Sequence, residues 1–373
     1  MAESDQETFE QYAARFGGSI NIYDSTTVTA SFMYEFSSFL TVLERIKDGQ
    51  YRNSRGESLV IRTGVTTTLE PNAFAGFNNG IHYCGFTLGF LLHSAYLANQ
   101  TMFRTRCFTD LTEATNHNAP SRLELCPSAT LWTGPQESVL RALCLDEIDD
   151  GNNERRPIEA AFFLRYALMT LVLYHEFHHA QLGHCRWRRN LGHARPASEF
   201  AAYSTKPEEC TLSRYFEYSC DIAAMIILSS TVADGEDFPT MAALVSLDTV
   251  TKVRLLLFAC GLLSAAWYIL EKRQRLRPLP MTHPRPECRM LNFFKCCSIG
   301  LERSKSGDVG VFSTAGDLAL EDLWRAARWI PELKSAMDSF RNAGSAFSED
   351  YAFVRDVAAP YREALDAEVY LAT

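Results

Sequence analysis

The sequence predicts an α+β fold in which helices dominate. Three observations favour this class: an amphipathic helical segment comes first, two strand-like segments follow, and most of the remaining chain is a run of helical segments. The 373 residues are 47% hydrophobic and 22% charged, which is typical of a folded globular protein. The pattern divides into an N-terminal helical segment (1–57), a central domain (58–300) and a C-terminal helical extension (301–373).

The first elements follow from local patterns. Residues 30–49 have apolar side chains at helical spacing and end in glycine, which predicts an amphipathic helix. Residues 58–64 and 80–86 are predicted to be strands, and the turn-forming "GFNNG" precedes the second of them. The apolar segment 87–99 then predicts a helix.

The second half of the chain is predicted to be helical. Residues 100–155 have little periodicity and are interpreted as an insertion, and the long apolar helix that follows has Pro157 in its first turn. A loop is predicted over about 185–209, and Pro331 is expected to break the last helical segment or to start a new turn. The predicted helices of this half are 157–184, 211–230, 250–273 and 317–340.

Charge and cysteine usage limit the partners and the compartment. The net charge is −9, whereas a nucleic-acid-binding protein usually has a basic balance, so no nucleic-acid partner is expected. The eleven cysteines form no C-x-x-C pair, and the acidic N-terminal stretch has no apolar core of a signal peptide. These features predict a cytoplasmic protein with free thiols.

One segment requires a test for membrane insertion. Residues 255–270 carry no charge, and basic residues flank them on both sides. A helix of this length reaches roughly 24 Å, which is less than the ~30 Å hydrocarbon core of a bilayer. A buried core helix is therefore predicted, and a short or tilted membrane-associated helix is the alternative.

The stretch "HEFHH" indicates a metal site. His175 and His179 are four residues apart, so on a helix both imidazoles lie on one face and can share a zinc ion. Glu176 lies between them and can reach a water on the metal, as in the H-E-x-x-H helix of metalloproteases. The alternative is a histidine-rich helix end that Gly183 caps. His178 could replace His179 as a ligand, and His184 is interpreted as a capping or near-surface residue.

A catalytic zinc ion usually has three protein ligands and one open position. Glu217 is the candidate third ligand. Asp221 follows it by one helical turn and could accept the outer N–H of a ligating histidine, which would fix the tautomer of that histidine. Two solvent-facing carboxylates are the alternative interpretation.

Four motifs together resemble the gluzincin zinc peptidases, in particular the CAAX prenyl protease and heat-shock membrane protease branch. H-E-x-x-H at 175–179 is followed by "EYSCD", in which Cys220 replaces the usual alanine of E-x-x-A-D. The branch also has N-A-F-A before a glycine-led strand, and T-H-P-x-x-x-x-R after the glutamate helix. This chain has "NAFAGFNNGIHYCGF" and "THPRPECR" in that order, within residues 58–292. Phage-exclusion peptidases of the Lit type are a looser match.

The resemblance implies a zincin-like fold and a zinc-dependent endopeptidase acting on a protein or peptide. It implies that strand 80–86 is the sheet edge beside the zinc cleft, where a peptide could add as a further strand after a turn formed by "NAFA". His283 would donate to the developing oxyanion, and Arg289 would tie its loop to a carboxylate. The implied substrate-binding residues are Asn72, Ala73, Gly80, Ile81, His82 and Tyr83.

Two alternatives to an active peptidase stay open. One is a regulatory or partner-docking module that keeps the fold with restricted or no proteolysis. The other is a structural zinc protein, in which Cys185 or His184 closes the fourth position.

Overall fold

A computed structural model provides the structure of the protein. It describes residues 7–20, 51–104, 107–108, 110–111, 124–127, 129–133, 155–190, 197–198, 207–235, 247–274, 283–305 and 309–372. The predicted helix over 30–49 and most of the predicted insertion at 100–155 lie outside the described residues.

Helices dominate the described residues, and a small sheet accompanies them, as the α+β prediction requires. The strands are β1 (Ser19–Ile20), β2 (Tyr51–Arg52), β3 (Ile61–Thr66), β4 (Ala73–Asn78), β5 (Ile81–Thr87), β6 (Ala197–Ser198) and β7 (Leu371–Ala372). The helices are α1 (Phe9–Ala13), α2 (Leu88–Arg104), α3 (Arg155–Gln181), α4 (His184–Asn190), α5 (Pro207–Asp234), α6 (Thr249–Gln274), α7 (Pro286–Arg303), α8 (Val309–Ala326), α9 (Pro331–Arg341), α10 (Ala343–Ala358) and α11 (Arg362–Asp366).

The chain forms two compact units. The first contains Met1–Leu91, Val172–Ala202 and Ala358–Thr373, and the second contains Leu92–Leu171 and Tyr203–Val357. The first unit holds all seven strands, and the second unit is helical in its described residues.

The five-stranded sheet of the first unit has the order β1-β3-β5-β4-β6. Asn79 and Gly80 have positive φ angles of 48° and 83°, which form the tight turn of the β4–β5 hairpin that "GFNNG" predicts. β5 pairs in parallel with β3 and antiparallel with β4, so it is an interior strand. The predicted edge position of this strand is wrong, because its main-chain groups already have partners on both sides.

The segment that contains "NAFA" is also corrected. Ala73, Phe74 and Ala75 belong to strand β4 and are buried, whereas the resemblance to gluzincins implied a turn at this segment. Ile81, His82 and Tyr83 of β5 are buried as well, and Gly80 lies in the exposed hairpin turn. A peptide therefore has no free main-chain edge on β5, and strand addition there is not a route for substrate binding.

The second unit is organised by long apolar helices that pack on one another, mainly α5 on α7 and α6 on α8. Close approach depends on small residues: a Cβ at Gly300 of α7 would lie 2.6 Å from the Ile226 carbonyl oxygen of α5. The predicted C-terminal helix is two helices, since Pro331 starts α9 as expected. The region expected to be a loop after the metal helix begins with the short helix α4.

Three described helices are long and apolar enough to cross a membrane by length and composition alone. They contain the segments Arg156–Gln181, Glu209–Asp234 and Thr249–Ile269. In the apolar 18-residue stretch of the third segment, 89% is buried inside the fold. The corresponding stretch of the second segment is 56% buried. The third segment contains most of residues 255–270, so burial within the fold supports the core-helix interpretation of that stretch.

His82 supplies a test of the fold's pH dependence. The side chain is fully buried, and neither ring nitrogen has a hydrogen-bond partner among the described residues. Burial lowers the pKa of His82 from 6.5 to about 3. The unfolded chain therefore binds one more proton than the folded chain between these values, so the stability from neutral His82 is lost as the pH falls below 6.5.

We expect the His82→Phe variant to resist acid better than the wild type. Between pH 7 and pH 5, its free energy of unfolding should fall by about 2 kcal/mol less, because each pH unit is worth ~1.4 kcal/mol per proton. Urea titrations at several pH values measure this. Phe77→Leu is the matched control, since the Phe77 ring packs 4.7 Å from that of His82 without titrating. Equal pH slopes for H82F and the wild type would contradict the expectation.

Candidate metal centre

The end of α3 positions the histidines of the candidate site. This helix is apolar along most of its length, and it ends where Gly183 adopts a left-handed φ of 73°. The Leu182 N–H donates to the His178 carbonyl oxygen at 2.8 Å, which closes the last turn. A side chain at position 183 would collide with the backbone of Glu368, whose carbonyl oxygen would lie 2.7 Å from a Cβ. Glycine is thus required there both by conformation and by packing.

His175, Glu176 and His179 are all buried, with at most 2% of each residue exposed. The Nε2 atoms of His175 and His179 are 3.1 Å apart. Two zinc–nitrogen bonds of about 2.0–2.1 Å at a tetrahedral angle place their nitrogens roughly 3.3–3.4 Å apart. The observed separation is slightly shorter than this and also fits an N–H···N hydrogen bond, so the two imidazoles are placed to share either a proton or a metal ion.

Strand β5 contacts the same helix. The Cys84 thiol donates to the Glu176 carbonyl oxygen at 3.3 Å. Burial raises the pKa of Cys84, so the thiol stays protonated and keeps its role as a donor. This contact fixes the interior strand against the helical turn that carries the histidines.

His178 points to a different partner. Its Nδ1 lies 2.7 Å from the Gln181 side-chain oxygen, and its ring packs near Tyr174 and Phe177. Burial lowers the pKa of His178 to about 4, so the ring is neutral at pH 7. This arrangement favours His179 over His178 as the second histidine of the motif.

His184 differs from its prediction. It is 4% exposed, so it is not near the surface, and it begins helix α4 instead of capping α3. Its Nδ1 lies 3.3 Å from Nδ1 of His179. The two nitrogens of His179 therefore face different histidines, with Nε2 toward His175 and Nδ1 toward His184.

Glu217 and Asp221 lie one turn apart on α5 and are 3% and 0% exposed, so the interpretation as solvent-facing carboxylates is wrong. Asp221 accepts two hydrogen bonds from Arg289, at 2.9 Å from Nε and 2.7 Å from Nη2. The Arg289 guanidinium also lies 3.7 Å from the Trp267 ring centroid. Arg289 thus contacts a carboxylate as predicted, and the role of Asp221 toward a histidine ligand stays a prediction.

His283 lies beside the other carboxylate of α5. Its Nε2 is 3.5 Å from Oε2 of Glu217, and its side chain is 16% exposed. The proximity to the candidate third ligand agrees with a place near the site. Its predicted hydrogen bond to a developing oxyanion is not tested by this distance and stays a prediction.

Buried histidine, cysteine and glutamate side chains could hold a metal ion. In the first unit these are His175 and His179, which the sequence predicts, and the buried His184 beside His179. Glu217, the predicted third ligand, is buried in the second unit, and its part in a metal site stays a prediction. Cys220, which the sequence shows in place of the usual alanine, is buried on the same helix as Glu217.

Comparisons of this chain with protein-family models, curated proteins and solved structures find no match.

The buried Arg289–Asp221 pair supplies a test of the site's framework. We expect Arg289→Met to lower the free energy of unfolding by about 3–5 kcal/mol, because the substitution leaves a buried carboxylate without its cationic partner. The double variant with Asp221→Leu should recover much of that loss, since it removes the buried charge. Urea unfolding of the metal-free proteins measures both.

Arg355→Met is the control for the loss of an arginine, because Arg355 and its partner Asp356 are 53% and 71% exposed. Such a surface pair is worth less than ~1 kcal/mol. Similar losses for R289M and R355M would show that the buried pair does not stabilise the helices.

Proposed function

We propose that the protein is a zinc-dependent endopeptidase that hydrolyses peptide bonds of a protein substrate. The observation that carries the proposal is the convergence of His175 and His179, whose Nε2 atoms are 3.1 Å apart, with Glu176 between them on the same buried helical turn. The resemblance to gluzincins supports the same chemistry through the motifs of the sequence.

Glu217 is proposed as the third ligand. It supplies the negative charge that two neutral imidazoles lack, and three protein ligands leave a position open for catalysis. Glu217 is 3% exposed and its Oε2 lies 4.0 Å from Nη2 of Arg289, and zinc would be a further cationic partner for this carboxylate. Zinc, when bound, acts as a Lewis acid and makes water nucleophilic near neutral pH.

Glu176 is proposed as the general base. It follows His175 directly, so its carboxylate leaves the helix in a different direction from the two imidazoles. It would take a proton from the attacking water and deliver it to the leaving amine. His283 would donate a hydrogen bond to the oxyanion, and its position 3.5 Å from Glu217 supports this role.

A structural metal site is the second candidate function. The buried His184 favours it, because its Nδ1 lies 3.3 Å from Nδ1 of His179 and imidazole ligands are typical of closed structural zinc sites. Such a site would leave no open position for substrate, and Glu176 would then have no catalytic role. The two candidates differ in what loss of the Glu176 carboxylate does.

Glu176→Gln tests the proposal. The variant keeps the shape of the side chain but cannot take a proton. We expect it to bind zinc as the wild type does, about one ion per chain, and to lose cleavage of a peptide library by at least ~10²-fold. Metal analysis and mass spectrometry of the library measure the two effects. His175→Ala should lose both zinc and cleavage.

Glu159→Gln is the matched control, because Glu159 is equally buried on the same helix and lies roughly 25 Å away along its axis. It should keep zinc and cleavage. Loss of zinc in E176Q would identify Glu176 as a ligand. Unchanged cleavage in E176Q would overturn the proposed base, and a wild type that binds zinc without cleaving any peptide would favour the structural site.

We propose a cytoplasmic location, with residues 255–270 as a core helix. The 89% burial of the apolar window in this helix supports the proposal. We expect the purified protein to remain in solution without detergent and residues 255–269 to resist water-borne labelling reagents. Recovery in a membrane fraction that resists salt and carbonate washes would instead identify a membrane-associated helix.

A further inference from the structure

The imidazole of His184 faces the side of His179 that points away from His175. The two Nδ1 atoms are 3.3 Å apart, and the rings meet edge to face at 70° with centroids 5.4 Å apart. Both residues are nearly inaccessible to solvent, at 2% and 4% exposure. A contact between two buried ring nitrogens requires one of them to donate and the other to accept.

The chemistry of ligation fixes which nitrogen donates. A neutral histidine that binds a metal ion through Nε2 carries its proton on Nδ1, and this N–H needs an acceptor when it is buried. His184 Nδ1 is at the right place to accept it, provided that the proton of His184 is on Nε2. The contact then holds the ring of His179 in the orientation that directs Nε2 toward His175.

We propose that His184 is a positioning residue that fixes the tautomer and the ring orientation of the ligand His179. This inference rests on the proposed zinc site. The sequence suggested Asp221 for an orienting role of this kind, but Asp221 accepts both of its short hydrogen bonds from Arg289. His184 itself is not proposed as a ligand of the metal ion.

The local backbone explains how His184 reaches this position. Gly183 has a left-handed φ of 73°, which ends α3 and turns the chain back, and α4 starts at the next residue. The Trp187 N–H donates to the Gly183 carbonyl oxygen at 2.9 Å, which fixes the first turn of α4 on that glycine. The positioning residue is therefore held by the same turn that terminates the metal helix.

Zinc affinity of four variants of the full chain tests the proposal. His184→Leu removes the acceptor, whereas His184→Asn keeps an oxygen near the place of Nδ1. We expect H184L to raise the zinc Kd by about 10–100-fold, the usual effect of losing a partner of a ligating histidine, and H184N to stay close to the wild type. Competition with a chromophoric chelator measures Kd, and urea unfolding of the metal-free proteins separates affinity from stability.

His178→Leu and His178→Asn are the matched controls. His178 is buried next to His179 in the sequence, but its Nδ1 faces Gln181, so neither variant should change the zinc Kd. Unchanged zinc affinity in H184L, or equal weakening in H184L and H184N, would overturn the positioning role. Two zinc ions per wild-type chain, with one lost in both His184 variants, would overturn it in favour of a second metal site. A wild type that binds no zinc would overturn the proposed function together with this inference.

Discussion

The burial of ionisable side chains inside apolar helices is the constraint on which the rest of the structure depends. A buried charge costs several kcal/mol unless a partner of opposite charge is placed accurately against it. The second unit meets this requirement with two arginine–aspartate pairs. Arg289 of α7 contacts Asp221 of α5, and Arg254 of α6 contacts Asp322 of α8 at 2.5 Å. Each pair joins helices that already pack through small and apolar residues, so each fixes the position of one helix along another.

The first unit meets the same constraint in a different way. His175, His179 and His184 form a row of buried imidazoles in which the nearest nitrogens are 3.1 Å and 3.3 Å apart. Neutral imidazoles can form hydrogen bonds along such a row in either of two directions. A cation between His175 and His179 would resolve that ambiguity, since both Nε2 atoms would then be acceptors toward it and each Nδ1 would carry the proton. The arrangement is thus compatible with a bound metal ion as well as with a chain of hydrogen bonds.

The sequence identified the parts of the fold that have strong local signals. The helices that contain His175 and Glu217 and the turn at Asn79 and Gly80 were found from periodicity and turn residues. The order of strands in the sheet was not found from the sequence. The pattern of residues in β3, β4 and β5 predicts strands but does not indicate which strands pair with one another. The "NAFA" segment was expected to form a turn because the resemblance to gluzincins implied one, and residues 73–75 belong to strand β4 instead. The burial of His184 was missed because a glycine normally marks an exposed helix end. The pairing of Asp221 with Arg289 was not predicted because the two residues are 68 positions apart in the sequence.

The turn at Gly183 depends on the far end of the chain. The last carbonyl groups of a helix lack partners within it, and the Tyr370 N–H supplies one for Gln181 at 2.7 Å. Glu368 packs directly on Gly183, and it also forms ion pairs with Arg55 and Arg186. Strand β7 then pairs with β2, which ties the C-terminal segment to the residues shortly before β3. The direction in which His184 leaves the turn is therefore set by contacts of the C-terminal segment, so the geometry around His179 is a property of the whole unit and not of the five-residue motif alone.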